Sequence, residues 1–233
     1  MAELGAVIFD FDGTIADSEP FHLAAFQRTF SEELGLDLTE AQYKERYLAF
    51  DDRRMTLKFL TDRGAEVGPE RLARLLEIKG AHYAALAGDP VILPGAPALI
   101  RACAQRWPLA IASGALQNEI RPVLEGAGLV EYFSPIISAE MVERGKPDPE
   151  SFLAALEGIN EGRAEKIDRA ACLVLEDSVA GVDSGRAAGM RVLAVTNSYP
   201  RDRLGGADRV VDSLEEAADS EALAAWFAAL PPR

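Results

Sequence analysis

Leu4-Gly5-Ala6-Val7-Ile8-Phe9 is an apolar run interrupted only by Gly5, and it ends abruptly in Asp10-Phe11-Asp12-Gly13-Thr14. A strand that is apolar on both faces must be covered on both, which points to a parallel sheet flanked by helices. Such a sheet leaves the C-terminal edge of its strands open, and two carboxylates arrive there. Asp10 and Asp12 lie two residues apart, so extended geometry carried past Phe9 projects both to one side, and Gly13 permits an immediate change of direction. That suits one carboxylate attacking while its neighbour handles a proton. Asp-Gly is also ordinary turn chemistry, which accounts for Asp12 and Gly13 but gives Asp10 no reason to be there. On this stretch alone both readings stand.

Three further segments end in polar chemistry. Ala110-Ile111-Ala112 reads as a second buried strand running into Ser113-Gly114, where a hydroxyl and free backbone amides can hold phosphate oxygens. In Gly145-Lys146-Pro147-Asp148-Pro149, Asp148 reads as a helix N-cap and Pro149 as the first helical residue, whereas Lys146 has no such structural task. Cys172-Leu173-Val174-Leu175 is a third apolar strand, ending in Glu176-Asp177-Ser178 and then Gly181. Paired acids after an apolar strand are costly unless a cation or water balances them.

Between residues 17 and 89 the texture changes to helical periodicity. Phe21, Leu23, Ala24, Ala25, Phe26 and Phe30 populate one broad face, Thr39 with Gln42 matches a capping box, and residues 51–62 and 69–86 read as further helices. After Pro94 the chain alternates. Helix runs through Cys103, strand 108–112, helix 115–126, strand near 136 and helix 149–157. Strand 172–175, helix 178–188, strand 191–195, strand near 209–211 and helix 221–229 follow. The expectation is an α/β fold with a doubly wound parallel sheet, its site at the strand C-terminal edge. Residues 1–16 and 90–233 would form this core, and 17–89 an inserted four-helix cap. Ser213 and Glu216 suggest another capping box, beside a solvated acidic face.

At 233 residues the chain can hold one well-buried core plus an insertion. The 24 basic against 38 acidic residues leave a net charge of −14, which argues against a nucleic-acid-binding surface. An anionic substrate must then be attracted locally, by a divalent cation and a few placed Lys or Arg side chains. Cys103 and Cys172 fall in an apolar helix and strand, as buried thiols of a reducing compartment do, and no zinc-type spacing exists. The sequence enters its strand without a signal-type segment, and no apolar run approaches the roughly 20 residues that cross a bilayer. A cytoplasmic monomer acting on a small phosphorylated metabolite, with no membrane or nucleic-acid partner, is expected.

DFDGTIADSEP, ASG, GKPDP and LEDSVAGVDSGRAAGM, in this order and at these separations, resemble the haloacid dehalogenase superfamily of phosphotransferases across essentially the whole chain. Within it the likeness is to the beta-phosphoglucomutase-like sugar phosphatases and mutases, whose Rossmann-like core carries a helical cap after the first motif. The resemblance implies that Asp10 attacks phosphorus in line to form an aspartyl-phosphate. Asp12 would protonate the leaving oxygen and then activate water. It implies Mg2+, held by the Asp10 side chain, the Asp12 backbone carbonyl and Asp177, with Glu176 in direct contact or one layer behind. Ser113 and Gly114 would hold the phosphoryl oxygens, and Lys146 would neutralise charge on Asp10 and the phosphoryl group. An intact Asp-x-Asp favours phosphate esters over the dehalogenase and phosphonate-cleaving branches, which lack the second acid.

In the expected cap, His22, Arg53 and Lys79 fall where the mutase-like proteins carry side chains that reach toward substrate. Ser18 lies in the hinge segment, and Arg54 adjoins Arg53. A His on an amphipathic helix is equally a packed structural residue, and Arg53 and Lys79 equally surface charges. Gln117 and Asn118 are not assigned. Two outcomes share the chemistry of Asp10 and Asp12: water accepts the phosphoryl group in a phosphatase, or a sugar hydroxyl accepts it in a beta-phosphoglucomutase-type mutase. The phosphatase is favoured, and a non-catalytic binding module is disfavoured by the complete set of catalytic residue types.

Overall fold

The computed structural model describes residues 3–48, 50–86 and 91–231. In chain order the elements are β1 (Ala6–Phe9), β2 (Ala16–Asp17), α1 (Glu19–Leu34), α2 (Glu40–Arg46), α3 (Asp52–Thr61), α4 (Pro69–Leu86) and β3 (Val91–Ile92). Then come α5 (Ala96–Ala104), β4 (Leu109–Ala112), α6 (Gln117–Gly126), β5 (Phe133–Ile137), α7 (Glu150–Asn160) and β6 (Cys172–Glu176). The chain closes with α8 (Val179–Ala187), β7 (Arg191–Val195), β8 (Arg209–Val211) and α9 (Ser220–Ala228). They divide into two compact units, Met1–Asp17 with Val91–Arg233, and Ser18–Pro90. The expected second boundary, at 89/90, lies outside the described residues.

In the first unit six strands form a parallel sheet of order β5-β4-β1-β6-β7-β8. Alternation within each strand feeds two cores. Val7 and Phe9 of β1, Leu109 and Ile111 of β4, and Leu173 and Leu175 of β6 enter one. Ala6, Ile8, Ala110, Ala112, Cys172 and Val174 enter the other. The continuous apolar runs thus exist because both faces are covered, each large side chain contributing about 1.5–3 kcal/mol on burial. The chain runs from β1 to β4 and β5 on one side and returns to β6, β7 and β8 on the other. The C-terminal end of β1 is therefore the switch point where such sheets place ligands. A separate antiparallel pair, β2 with β3, matches Ala16 to Ile92 and Asp17 to Val91; two-residue strands carry no periodicity from which to read them.

The second unit, α1–α4, has its own core of Phe26, Phe30, Tyr43, Tyr47, Met55, Phe59, Leu60 and Leu75, with Phe30 and Phe59 stacked at 4.1 Å. The capping box at Thr39 and Gln42 is formed reciprocally, as is the one at Ser213 and Glu216. Several element ends shift by one to three residues, α6 beginning at Gln117 rather than 115, and at α7 the roles of two residues change. Pro149 is the N-cap and Glu150 the first residue of α7, which runs on to Asn160. The Asp148 side chain still accepts from the Glu150 amide at 3.1 Å, so it caps the helix from one position further out. Both cysteines are free and buried. Among the described residues no helix is long and apolar enough to cross a membrane.

Candidate active site

The register places three chemistries at one level. Phe9 pairs with Leu175 on one side and Ile111 on the other. Asp10 therefore follows beside Glu176 at the end of β6 and beside the end of β4, and its amide donates to the Leu175 carbonyl at 2.9 Å. The Gly145–Asp148 turn, closed by a bond from the Asp148 amide to the Gly145 carbonyl, brings in the cation. Lys146 Nζ donates to Asp10 Oδ1 at 2.5 Å and to Glu176 Oε1 at 2.8 Å.

Glu176 is held from both ends. Its Oε2 accepts from the Asp177 and Ser178 amides and the Ser178 hydroxyl, at 2.8, 2.7 and 2.9 Å, just before α8 begins, where helix-end amides favour an anion. Gly181 makes room for it: a Cβ there would lie 1.7 Å from Glu176 Oε1. Gly13 plays the same part for Asp177, whose Oδ2 would lie 1.9 Å from a Cβ, and its φ of +72° independently requires glycine.

Asp10, Glu176 and Asp177 are buried, each with one carboxylate oxygen within 4.8 Å of those of the other two. Burial, reinforced by Glu176 and Asp12 and opposed by Lys146, pushes Asp10 up to about 7. Burial and the charges of Glu176 and Asp10 raise Asp177 well above the carboxylate range. Burial opposes the charge on Lys146 too, but Asp10 and Glu176 outweigh it and hold the lysine protonated. Burial, with the mutual repulsion of the acids added to it, thus disfavours their charged forms more than one lysine can offset. A hard divalent cation with carboxylate ligands fits this donor set and resolves the imbalance.

Asp12 is half-buried and its carboxylate stands outside the three-acid group, although its charge reaches Asp10. One strand over, Ser113 is buried and its Oγ accepts from the Ala115 amide at 3.0 Å, which leaves the hydroxyl hydrogen to donate; Gly114 is exposed. The Gln117 side chain accepts from Ser138 at 3.4 Å, whereas Asn118 is exposed.

In the helical unit, His22 and Lys79 meet. Lys79 is 1 % exposed, so it is no surface charge; its Nζ lies 2.7 Å from His22 Nδ1 and 2.7 Å from Asp52 Oδ2, under the Phe26 and Tyr83 rings. An ammonium only donates, so Nδ1 accepts and the neutral ring carries its proton on Nε2. Burial and then Lys79 lower the His22 pKa well below its usual value. Arg53 is exposed and outside this group, and Ser18 is buried at the start of α1. Asp52, placed by the sequence only within the expected helix 51–62, is the anion that balances Lys79.

Two residues carried no recognised motif. After β7, Asn197 Nδ2 donates to the Gly13 carbonyl at 2.7 Å, and the Ser198 hydroxyl donates to Asp177 Oδ2. Thr196-Asn197-Ser198 looks like any polar loop. The available signal was that it follows another buried strand of the same parallel sheet, on the edge that holds the site.

A model of haloacid dehalogenase-like hydrolases matches residues 4–189. CbbY of Rhodobacter capsulatus is 33 % identical over 227 residues, covering 93 % of this chain and 96 % of that protein. A phosphoglycolate phosphatase of Cereibacter sphaeroides is 31 % identical, covering 83 % and 85 %. Among solved structures, a mutant CbbY from Rhodobacter sphaeroides in complex with xylulose-(1,5)bisphosphate superposes with a TM-score of 0.78 at 27 % identity, over 93 % of this chain and 96 % of that one. A beta-phosphoglucomutase from Clostridium difficile shares the fold, with a TM-score of 0.82 at 24 % identity, over 97 % of each chain. The strand-end acids, the lysine bonded to two of them and this likeness along nearly the whole length agree: the chain belongs to the haloacid dehalogenase-like hydrolases.

Proposed function

We propose that the protein is a Mg2+-dependent phosphatase that hydrolyses a small sugar phosphate through an aspartyl-phosphate. The observation that carries this reading is the buried group of Asp10, Glu176 and Asp177 with Lys146 bonded to two of its members. Asp10 is the nucleophile, held at a strand end by its own amide and oriented by Lys146. Asp10, Asp177 and the Asp12 carbonyl are the proposed metal contacts. Glu176, with both oxygens already engaged, positions Lys146 and the turn bearing Asp177. Mg2+ supplies charge neutralisation that lets an anionic nucleophile approach an anionic phosphoryl group. Asp12 protonates the leaving oxygen and then draws a proton from water. Ser113 and the Gly114 amide donate to the phosphoryl oxygens, and Lys146 stabilises the charge that accumulates between Asp10 and phosphorus.

The helical unit is proposed as the specificity cap, with His22 and Arg53 its candidate substrate contacts and the buried Lys79 acting there through the His22 ring it holds. The CbbY relatives make pentulose bisphosphates the first substrates to try, and phosphoglycolate the second. Phosphate release from a panel of such esters should require Mg2+, cease with chelator and fall at least about 10³-fold in Asp10→Asn. No release from any ester would refute the phosphatase reading. Isomerisation of beta-glucose 1-phosphate primed by its 1,6-bisphosphate, without free phosphate, would establish the mutase instead.

A further inference from the structure

In each of the three clustered carboxyl groups at least one oxygen is already engaged. Lys146 occupies Asp10 Oδ1, three donors occupy Glu176 Oε2 while Lys146 takes Oε1, and the Ser198 hydroxyl occupies Asp177 Oδ2. Bidentate coordination, which needs both oxygens of one carboxylate, is therefore opposed at every acid. Ca2+ takes six to eight oxygens and commonly uses bidentate carboxylates, whereas Mg2+ accepts about six single oxygens at shorter range and keeps waters. Two of these restraints come from neutral side chains, the Ser178 hydroxyl on Glu176 and the Ser198 hydroxyl on Asp177, and of the two the latter acts on an acid proposed as a metal contact. Ser198 can be changed without removing a ligand or a charge.

The loop after β7 reinforces the restraint. Asp177 Oδ2 sits in the space a Cβ on Gly13 would fill, and Asn197 ties down the Gly13 carbonyl. Asp177 is thus wedged between the turn after β1 and the Ser198 hydroxyl, and can offer only its other oxygen.

We propose that Ser198, steadied by Asn197, is a positioning residue that makes Asp177 a one-oxygen ligand and so sets the preference of the site for Mg2+ over Ca2+. This rests on the reading of Asp177 as a metal ligand. Calorimetric titration of the metal-free full-length protein with each ion separates the two. Wild type should bind Mg2+ in preference to Ca2+, and Asp177→Asn should bind neither. Ser198→Ala should lose about tenfold in Mg2+ affinity, a typical loss when a ligand's hydrogen-bond partner is removed. Its Ca2+ affinity should hold or rise, so the ratio narrows about tenfold, and Ser198→Thr, which keeps the hydroxyl, should restore it. An unchanged ratio, or equal weakening of both ions, overturns the role of Ser198 and leaves the metal reading intact. Wild-type affinities in Asp177→Asn overturn both. Thermal melts confirm folding, and if Ser198→Ala does not fold, Ser198→Cys, with its weaker donor, carries the same comparison.

Discussion

At the scale of single residues, neighbours decide which form a titratable side chain takes. Burial and the Lys79 cation both disfavour the His22 imidazolium, so its folded-state pKa lies below the unfolded value of 6.5. Folding then excludes a proton: the stabilisation is fully present above pH 6.5 and is lost as pH falls through the lowered value. The urea midpoints of wild type and His22→Gln should therefore run parallel above pH 7, with the wild type losing more stability in acid, and nitrogen shifts should report an Nε2–H imidazole at pH 6. An imidazolium at that pH would contradict the placement of Lys79. His22 and Lys79 were visible in the sequence only through family likeness, because a His or Lys on a helix says nothing of its partner. Asp10, Glu176 and Asp177 were legible because an acid after a buried apolar strand has few structural uses, and Lys146 because a cation in a Pro-rich turn before a helix has no structural task there. Ser198 was not, since a serine in a loop is ordinary until the carboxylate it bonds is known.

At the scale of elements, the strands and long helices followed from periodicity, and the errors lie at ends. Pro149 could not be placed to one residue because Asp148 caps α7 from outside the usual position. The ladder of β2 and β3 is too short to announce itself. The start of α8 shows how an element serves the site: alanine in a helix normally gains about 1 kcal/mol over glycine. At Gly181 the added Cβ would meet Glu176, so Gly181→Ala should instead destabilise by about 1–3 kcal/mol and loosen Lys146. Urea denaturation measures the first effect, and an equal or higher midpoint would show that Glu176 is free to move.

For the whole molecule, charge is the property that no single element reveals. A net charge of −14 would repel the proposed phosphate ester at long range, with attraction beginning only near Lys146 and the cation proposed beside it. Salt screens the long-range repulsion first, because the Debye length shortens to about 10 Å at 0.1 M. At fixed Mg2+, kcat/KM should accordingly rise, by about twofold, as NaCl increases from 10 to 100 mM. A fall over that range would mean that local positive charge governs the approach. The antiparallel pair of β2 and β3 has a consequence for descent. With Asp17 matched to Val91, the chain leaves the sheet-bearing unit and re-enters it at neighbouring positions. An insert joined at one such seam can be lengthened, shortened or traded between lineages while the six-stranded sheet keeps its order, so new substrates can be acquired without renegotiating the chemistry.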